Sequence, residues 1–150
     1  MFEDTQRKEL SDLGEFGLIK NLTESLQNKQ ESTILGVGDD AAVLGEGKIK
    51  TLVSTDMLIE GIHFDLSFHP LKHLGYKAVV VNLSDIYAMN GKPEQILVSL
   101  AFSNRFSLQA VQELYEGIRL ACELYGVDLV GGDTSSNQKG LVISITAIGK

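Results

Sequence analysis

Four acidic segments of similar design are the part of the sequence best suited to chemistry. In each segment an apolar run leads into an aspartate, and small or hydroxyl residues stand beside the acid. The aspartates are Asp40, Asp56, Asp85 and Asp133. Carboxylates that converge in one cleft raise one another's pKa unless cations neutralise them. Mg²⁺ suits this task, because it combines a few carboxylates with waters and substrate phosphates. The pattern indicates a phosphate site with several magnesium ions.

Residues next to these aspartates extend the same interpretation. Ser54 and Thr55 precede Asp56 and offer hydroxyl or carbonyl oxygens to a metal. The Gly-Gly pair at 131–132 precedes Asp133, and glycines let backbone amides approach a phosphate closely. A structural alternative stays open, because aspartate is also common in turns and at helix N-caps. The sequence has no Walker-type phosphate loop.

One histidine and the single cysteine carry side chains that are capable of chemistry. For His63, seven residues after Asp56, the residues alone favour a structural histidine, and contact with a substrate phosphate or a polar ring is the alternative. Cys122 is the single cysteine, so it cannot form an internal disulfide, and on an apolar helix face it is expected to be a core residue. The cysteine usage predicts a cytoplasmic protein.

The composition narrows the class of partner. The 150 residues carry a formal net charge of −7, which disfavours nucleic acid and anionic membranes as partners. No apolar run approaches the roughly 20 residues that span a bilayer, and the acidic start of the chain does not resemble a secretory signal. We therefore expect neither nucleic acid nor membrane among the partners.

The elements that must position these residues follow from periodicity and turn signals. Helices are predicted at 12–26, 71–89 and 107–126, although the valines at 79–81 leave a strand open in the second. Strands are predicted at 34–37, 41–44, 49–53, 96–102, 127–130 and 141–148. This order predicts an α/β or α+β fold with helices packed on a sheet. Three of the aspartates would then lie at the carboxyl ends of strands, where open α/β sheets bind ligands.

The predicted domain organisation is simple. Residues 1–10 are charged and expected to be flexible, and residues 11–150 are expected to form one domain. Because the last predicted strand runs almost to Lys150, we expect a further domain to follow in the native protein.

Six motifs, taken together, resemble the thiamine-monophosphate kinases in order and spacing. They are Gly14-Glu15-Phe16-Gly17-Leu18-Ile19, Gly36-Val37-Gly38-Asp39-Asp40-Ala41-Ala42, Ser54-Thr55-Asp56-Met57-Leu58, Gly61-Ile62-His63-Phe64, Lys77-Ala78 with Asn82-Leu83-Ser84-Asp85, and Val130-Gly131-Gly132-Asp133-Thr134. The Gly-Asp-Asp-Ala motif is shared with the wider superfamily of aminoimidazole ribonucleotide synthetase, selenophosphate synthetase and hydrogenase maturation proteins. The combination with His63-Phe64 and the Asn-Leu-Ser-Asp segment is more specific to the thiamine kinases.

This resemblance implies a role for each matching residue. The magnesium ligands would be Asp40, Asp56, Asp85 and Asp133, with further oxygens from Ser54 and Thr55. His63 matches a residue that contacts the thiamine phosphate. Gly132 and Asp133 belong to the loop beside the ATP phosphates, and Tyr115 resembles a position near the nucleotide. Asp39 would support the loop that carries its neighbour.

The resemblance also implies a fold, an activity and partners. The fold would be the amino-terminal domain of aminoimidazole ribonucleotide synthetase-like proteins, with a mixed sheet, helices on one face, and a β-barrel formed across a homodimer. The activity would be magnesium-assisted transfer of a phosphoryl group from ATP to thiamine monophosphate, with no general base assigned. Alternatives are another ATP-dependent enzyme of the superfamily, or a non-catalytic dimerisation and nucleotide-binding module. The family's carboxyl-terminal domain is absent from this sequence.

One departure from the family concerns a turn. The family usually has Ala-Met-Gly-Ala where this chain has Ala-Met-Asn-Gly at 88–91. Asparagine tolerates a left-handed backbone, so the turn is expected to survive.

Overall fold

The computed structural model describes residues 13–150, and the chain divides into two units, residues 1–30 and 31–150. The first unit contains helix α1, Gly14–Thr23. The predicted helix at 12–26 is therefore confirmed, but it ends earlier than predicted, at Thr23. The Thr23 hydroxyl donates to the Ile19 carbonyl at 2.7 Å, a local bond that competes with continued helix. The prediction of a flexible segment at 1–10 lies outside the described residues.

The second unit is a six-stranded mixed sheet with two long helices. The elements are β1 Thr33–Leu35, β2 Ala42–Glu46, β3 Ile49–Ile59, α2 Leu71–Ala88, β4 Pro93–Phe102, α3 Leu108–Tyr125, β5 Asp128–Ser136 and β6 Leu141–Gly149. The strand order is β1-β2-β3-β6-β4-β5. β4 and β5 are parallel, and the other neighbours are antiparallel. The prediction of a mixed α/β sheet is confirmed.

One face of the sheet is the core face. Along β6 the odd-numbered residues are buried and the even-numbered ones between Leu141 and Gly149 are only half-buried, which is the period of two expected when one face packs on the core. The same core contains Leu74 and Ile86 of α2 and Leu114 and Ile118 of α3. The prediction that helices pack on one face is therefore confirmed. We call the opposite face of β3, β6 and β4 the outer face; α2 and α3 do not cover it.

The two long helices touch through glycines. A side chain at Gly117 would overlap the carbonyl of Lys72, and one at Gly75 would overlap the carbonyl of Leu114. Glycine at both positions therefore lets the backbones of α2 and α3 approach one another closely.

The boundaries of α2 and α3 follow local chemistry. The strand alternative at 79–81 is wrong, because these valines lie inside α2. The turn after α2 survives as expected, with Asn90 at φ 57. The Ser107 hydroxyl accepts the Ala110 amide at 3.1 Å and caps α3, and Gly126 ends it with φ 64.

β3 and β5 continue well past their predicted ends, which corrects the placement of two aspartates. Asp56 lies inside β3 and Asp133 inside β5, not at strand ends. The strands continue through these polar residues because the ladder uses backbone groups: Asp56 is opposite Ile145 of β6, and Asp133 is beside Ser99 of β4. Asp40 does lie in a loop, between β1 and β2.

The single cysteine lies on α3. Cys122 packs against the core as predicted, and burial raises the pKa of its thiol, with a smaller contribution from the charge of Asp128.

No helix within residues 13–150 is both long and apolar enough to cross a membrane.

Candidate active site

Strand β3 and helix α2 bring three of the predicted metal ligands to one place. Ser54 and Asp56 are two residues apart on β3, so they lie on the same side of the strand. The Ser54 hydroxyl, on a residue only 9% exposed, donates to Oδ2 of Asp85 at 2.7 Å. Hydroxyl and carboxylate oxygens are the ligands that Mg²⁺ uses. The oxygens present here therefore fit that ion.

Asn82 fixes this junction, although the sequence motifs give it no role of its own. Its side chain is 1% exposed. Its Oδ1 accepts the Asp56 amide at 3.0 Å, and its Nδ2 donates to the Ala78 carbonyl at 2.8 Å. Asn82 thus ties the backbone of β3 at Asp56 to α2. An asparagine on the apolar side of a buried helix was the signal that could have identified it.

Thr55 lies apart from these three residues. As the intervening residue on β3, its side chain lies on the outer face. Its hydroxyl donates to the Ile145 carbonyl at 3.1 Å and accepts from the Thr146 hydroxyl at 3.1 Å. The side chain of Thr55 is therefore engaged with β6, and the structure does not bring it to Ser54 and Asp85.

A second group of predicted residues lines a cavity between α3 and β5. Tyr115, Gly132 and Asp133, the three residues predicted for the nucleotide, border this cavity of about 280 Å³ together with Thr134. Gly132 has φ 151, and a side chain there would overlap the backbone of Val98. Only glycine fits such a close approach of β5 to β4. Gly132 and Asp133 are themselves exposed, so their backbone is accessible.

Two strands separate the residues on β3 from those on β5. β6 and β4 lie between β3 and β5, and three strand spacings amount to about 14 Å. Among residues 13–150, no three His, Cys, Asp or Glu side chains come close enough to hold a metal ion. Within the described part of the chain, Asp56 and Asp133 therefore lie too far apart to bind the same ion.

Asp40 belongs to a third position, in the loop before β2. Its amide donates to Oδ1 of Asp39 at 2.9 Å. Asp39 therefore supports the loop locally, as expected, through the amide of its neighbour. The loop lies at the β1–β2 end of the sheet, whereas the cavity at Asp133 lies at the β5 edge.

His63 lies in a tight turn that fixes its proton. The Ile59 amide donates to Nδ1 of His63 at 3.0 Å, and the Gly61 amide donates to the carbonyl of the buried Phe64 at 2.8 Å. Because Nδ1 accepts a hydrogen bond, the neutral ring carries its proton on Nε2. The ring can therefore offer an N–H donor to an anionic oxygen.

Comparison with known proteins identifies the family. Residues 38–150 match the model of AIR synthase related protein, N-terminal domain. The thiamine-monophosphate kinase of Bacillus subtilis (strain 168) is 38% identical over 139 residues, which cover 92% of this chain and 42% of the kinase. The kinase of Aquifex aeolicus (strain VF5) is 38% identical over 141 residues, or 94% of this chain and 44% of that protein.

A solved structure agrees with this result. AaThiL complexed with AMPPCP and TMP superposes with a TM-score of 0.84 at 36% identity, over 97% of this chain and 44% of that one. This chain thus spans less than half the length of the relatives it matches. It belongs to the family of AIR synthase related proteins, whose N-terminal domain it contains, and it is similar to the corresponding part of thiamine-monophosphate kinases.

Proposed function

We propose that this chain is the nucleotide- and metal-binding part of an enzyme that phosphorylates thiamine monophosphate to thiamine diphosphate with ATP. The observation that carries the proposal is the cavity in which Tyr115, Gly132 and Asp133 meet, in a chain similar to a kinase whose structure holds both AMPPCP, an ATP analogue, and TMP.

The proposed role of each residue follows from its position in the fold. Tyr115 would pack against the nucleoside, and the Gly132–Asp133 backbone would lie along the phosphates. Ser54, Asp56 and Asp85 would hold magnesium at the β3–α2 junction, and Asp40 and Asp133 would each offer a carboxylate at their own positions along the sheet. When bound, Mg²⁺ would neutralise the charge of the two phosphate-bearing reactants.

The acceptor would be oriented by His63. Its Nε2–H would donate to a phosphate oxygen of thiamine monophosphate, so that this oxygen faces the terminal phosphate of ATP in line. A phosphate monoester is already ionised near neutral pH, with a second pKa of about 6. For that reason the reaction needs no residue to remove a proton, and we assign no general base.

A homodimer is part of the proposal. The outer face carries apolar and hydroxyl residues, among them Met57, Leu97, Val142 and Thr146, that are exposed or half-buried although they belong to central strands. A second copy of the chain would cover this face by packing its own outer face against it, closing a barrel. We further propose a cytoplasmic location, in keeping with the single cysteine.

Calorimetric titration of this chain with AMPPCP, with and without magnesium, tests the proposed site. We expect magnesium-dependent binding that Asp85→Asn and Asp133→Asn each weaken about tenfold or more, because each removes a carboxylate from a metal-phosphate site. Asp128→Asn is the matched control, since this exposed aspartate lies on β5 outside the cavity lining. Equal binding by the wild type and both site variants would contradict the proposal.

A further inference from the structure

The turn that carries His63 is held by a contact with a distant loop. Glu60 directly follows β3, and Arg105 lies in the loop between β4 and α3. Nη2 of Arg105 donates to Oε1 of Glu60 at 2.5 Å. The guanidinium also lies 5.5 Å from the ring centroid of Phe106, a distance at which a cation and an aromatic face attract. These two contacts hold the Arg105 guanidinium against the Glu60 carboxylate.

Glu60 depends on this contact because its carboxylate is largely buried. Its side chain is 19% exposed, and Oε2 is buried without a hydrogen-bond partner among residues 13–150. Gly140 packs against that oxygen so closely that a side chain there would lie 3.1 Å from it. A buried carboxylate that loses its counter-charge is strongly destabilised, and rotation of its side chain towards water relieves that cost. Removal of Arg105 would therefore displace Glu60.

Displacement of Glu60 would reach His63 through the backbone. The Glu60 amide donates to the Leu141 carbonyl at 3.0 Å, and Glu60 also forms a parallel bridge with Phe64. The residue before Glu60, Ile59, donates the hydrogen bond that fixes Nδ1 of His63. Glu60 thus lies between the Ile59 amide, which donates to Nδ1 of His63, and the Gly61 amide, which donates to the Phe64 carbonyl. A shift of the Glu60 backbone would therefore disturb both bonds of the turn.

We propose that Arg105 is a positioning residue for His63: by holding Glu60, it keeps the 60–64 turn closed and the imidazole proton on Nε2. The identity of the group that His63 contacts, the acceptor phosphate, rests on the proposed function. The positioning of the ring does not, because it follows from contacts within the chain.

Nitrogen NMR of the histidine rings tests this inference in the chain labelled with ¹⁵N-histidine, at about pH 8, where imidazoles are neutral. The His63→Gln variant assigns the His63 signals. In the wild type we expect two well-separated ring-nitrogen signals, one protonated and one not. In Arg105→Ala we expect the two signals to move towards one another, because the ring then exchanges between tautomers. Arg105→Lys, which keeps the charge without the planar fork, should fall in between.

Lys72→Ala is the matched control, because it removes a cation from the exposed Lys72–Glu116 pair at 3.7 Å and should leave the His63 signals unchanged. Unchanged His63 signals in Arg105→Ala would overturn the proposal. If Arg105→Ala does not show the circular dichroism spectrum of the wild type, Arg105→Lys provides the test. Unchanged His63 signals in Arg105→Lys would then overturn the proposal.

Titration with thiamine monophosphate then separates this proposal from the proposed function. We expect it to shift the His63 Nε2 signal of the wild type, with affinity about three- to tenfold lower in Arg105→Ala. If Arg105→Ala changes the tautomer but thiamine monophosphate leaves His63 of the wild type unaffected, the positioning stands and the acceptor assignment of His63 fails. Equal affinity in both proteins, with His63 shifted in each, would overturn the link from Arg105 to the acceptor.

Discussion

At the scale of residues, the candidate site depends on a few buried polar contacts. Two hydrogen bonds join β3 to α2: the Ser54 hydroxyl donates to Asp85, and the Asp56 amide donates to Asn82. Buried polar groups of this kind are costly when they lose a partner. The oxygens that fit a metal are therefore held by contacts that also stabilise the fold.

Asn82→Ala tests this double role. The substitution would leave the Asp56 amide without its acceptor and open a small cavity, so we expect a loss of about 1–3 kcal/mol in the free energy of unfolding. Urea denaturation followed by circular dichroism measures it. Magnesium-dependent AMPPCP binding should weaken as well, because the backbone at Asp56 loses its anchor. Asn104→Ala, at an exposed loop asparagine, is the control, and an equal loss in both variants would count against a special role for Asn82.

At the scale of elements, the crossing of α2 and α3 depends on the absence of side chains at two positions. Gly75 and Gly117 each lie against a backbone carbonyl of the other helix. A glycine inside a helix costs about 0.5–1 kcal/mol relative to alanine. The close approach of the helices explains why glycine nevertheless occupies these sites, and it lets the core residues of both helices reach the same face of the sheet.

Gly117→Ala should therefore destabilise the protein although alanine favours helix. Overlap with the Lys72 carbonyl would force the helices apart, and we expect a net loss of about 1–3 kcal/mol. Thermal and urea unfolding provide the measurement. Gly17→Ala, in the interior of α1, is the matched control, because its added side chain would make only an ordinary contact at 3.4 Å. An increase in stability for both variants would refute the proposed close packing.

At the scale of the whole molecule, the sheet has one face packed on helices and one that they leave uncovered. Met57 is 54% exposed although it lies on β3, in the middle of the strand order. An apolar face on central strands is expected to be covered by a partner. The proposed homodimer provides this cover.

Met57→Lys should weaken the dimer, because it would bury an unpaired charge between two sheets. Sedimentation equilibrium should give a dimer for the wild type and a dissociation constant at least about tenfold higher for the variant. Leu124→Lys is the control: Leu124 is 67% exposed but lies on α3, away from the outer face. A monomeric wild type, or equal weakening by both substitutions, would contradict the proposed interface.

The sequence by itself determined the types of the elements and the residues of interest. Periodicity and end signals such as Ser107 and Gly126 identified α3, and alternation identified β6, because these signals are local. The motifs pointed to Asp40, Asp56, Asp85, Asp133 and His63 for the same reason. Whether the first four bind magnesium and whether His63 binds the acceptor remain predictions.

The tertiary structure decided where those residues lie relative to one another. β3 and β5 extend through Asp56 and Asp133 because neighbouring strands supply their backbone hydrogen bonds, which no local signal reveals. The strand order then separates the two aspartates by β6 and β4. The contacts of Asn82 with Asp56 and of Arg105 with Glu60 join residues 26 and 45 positions apart. Contacts over such distances depend on the packing of whole elements, so only the folded chain could reveal them.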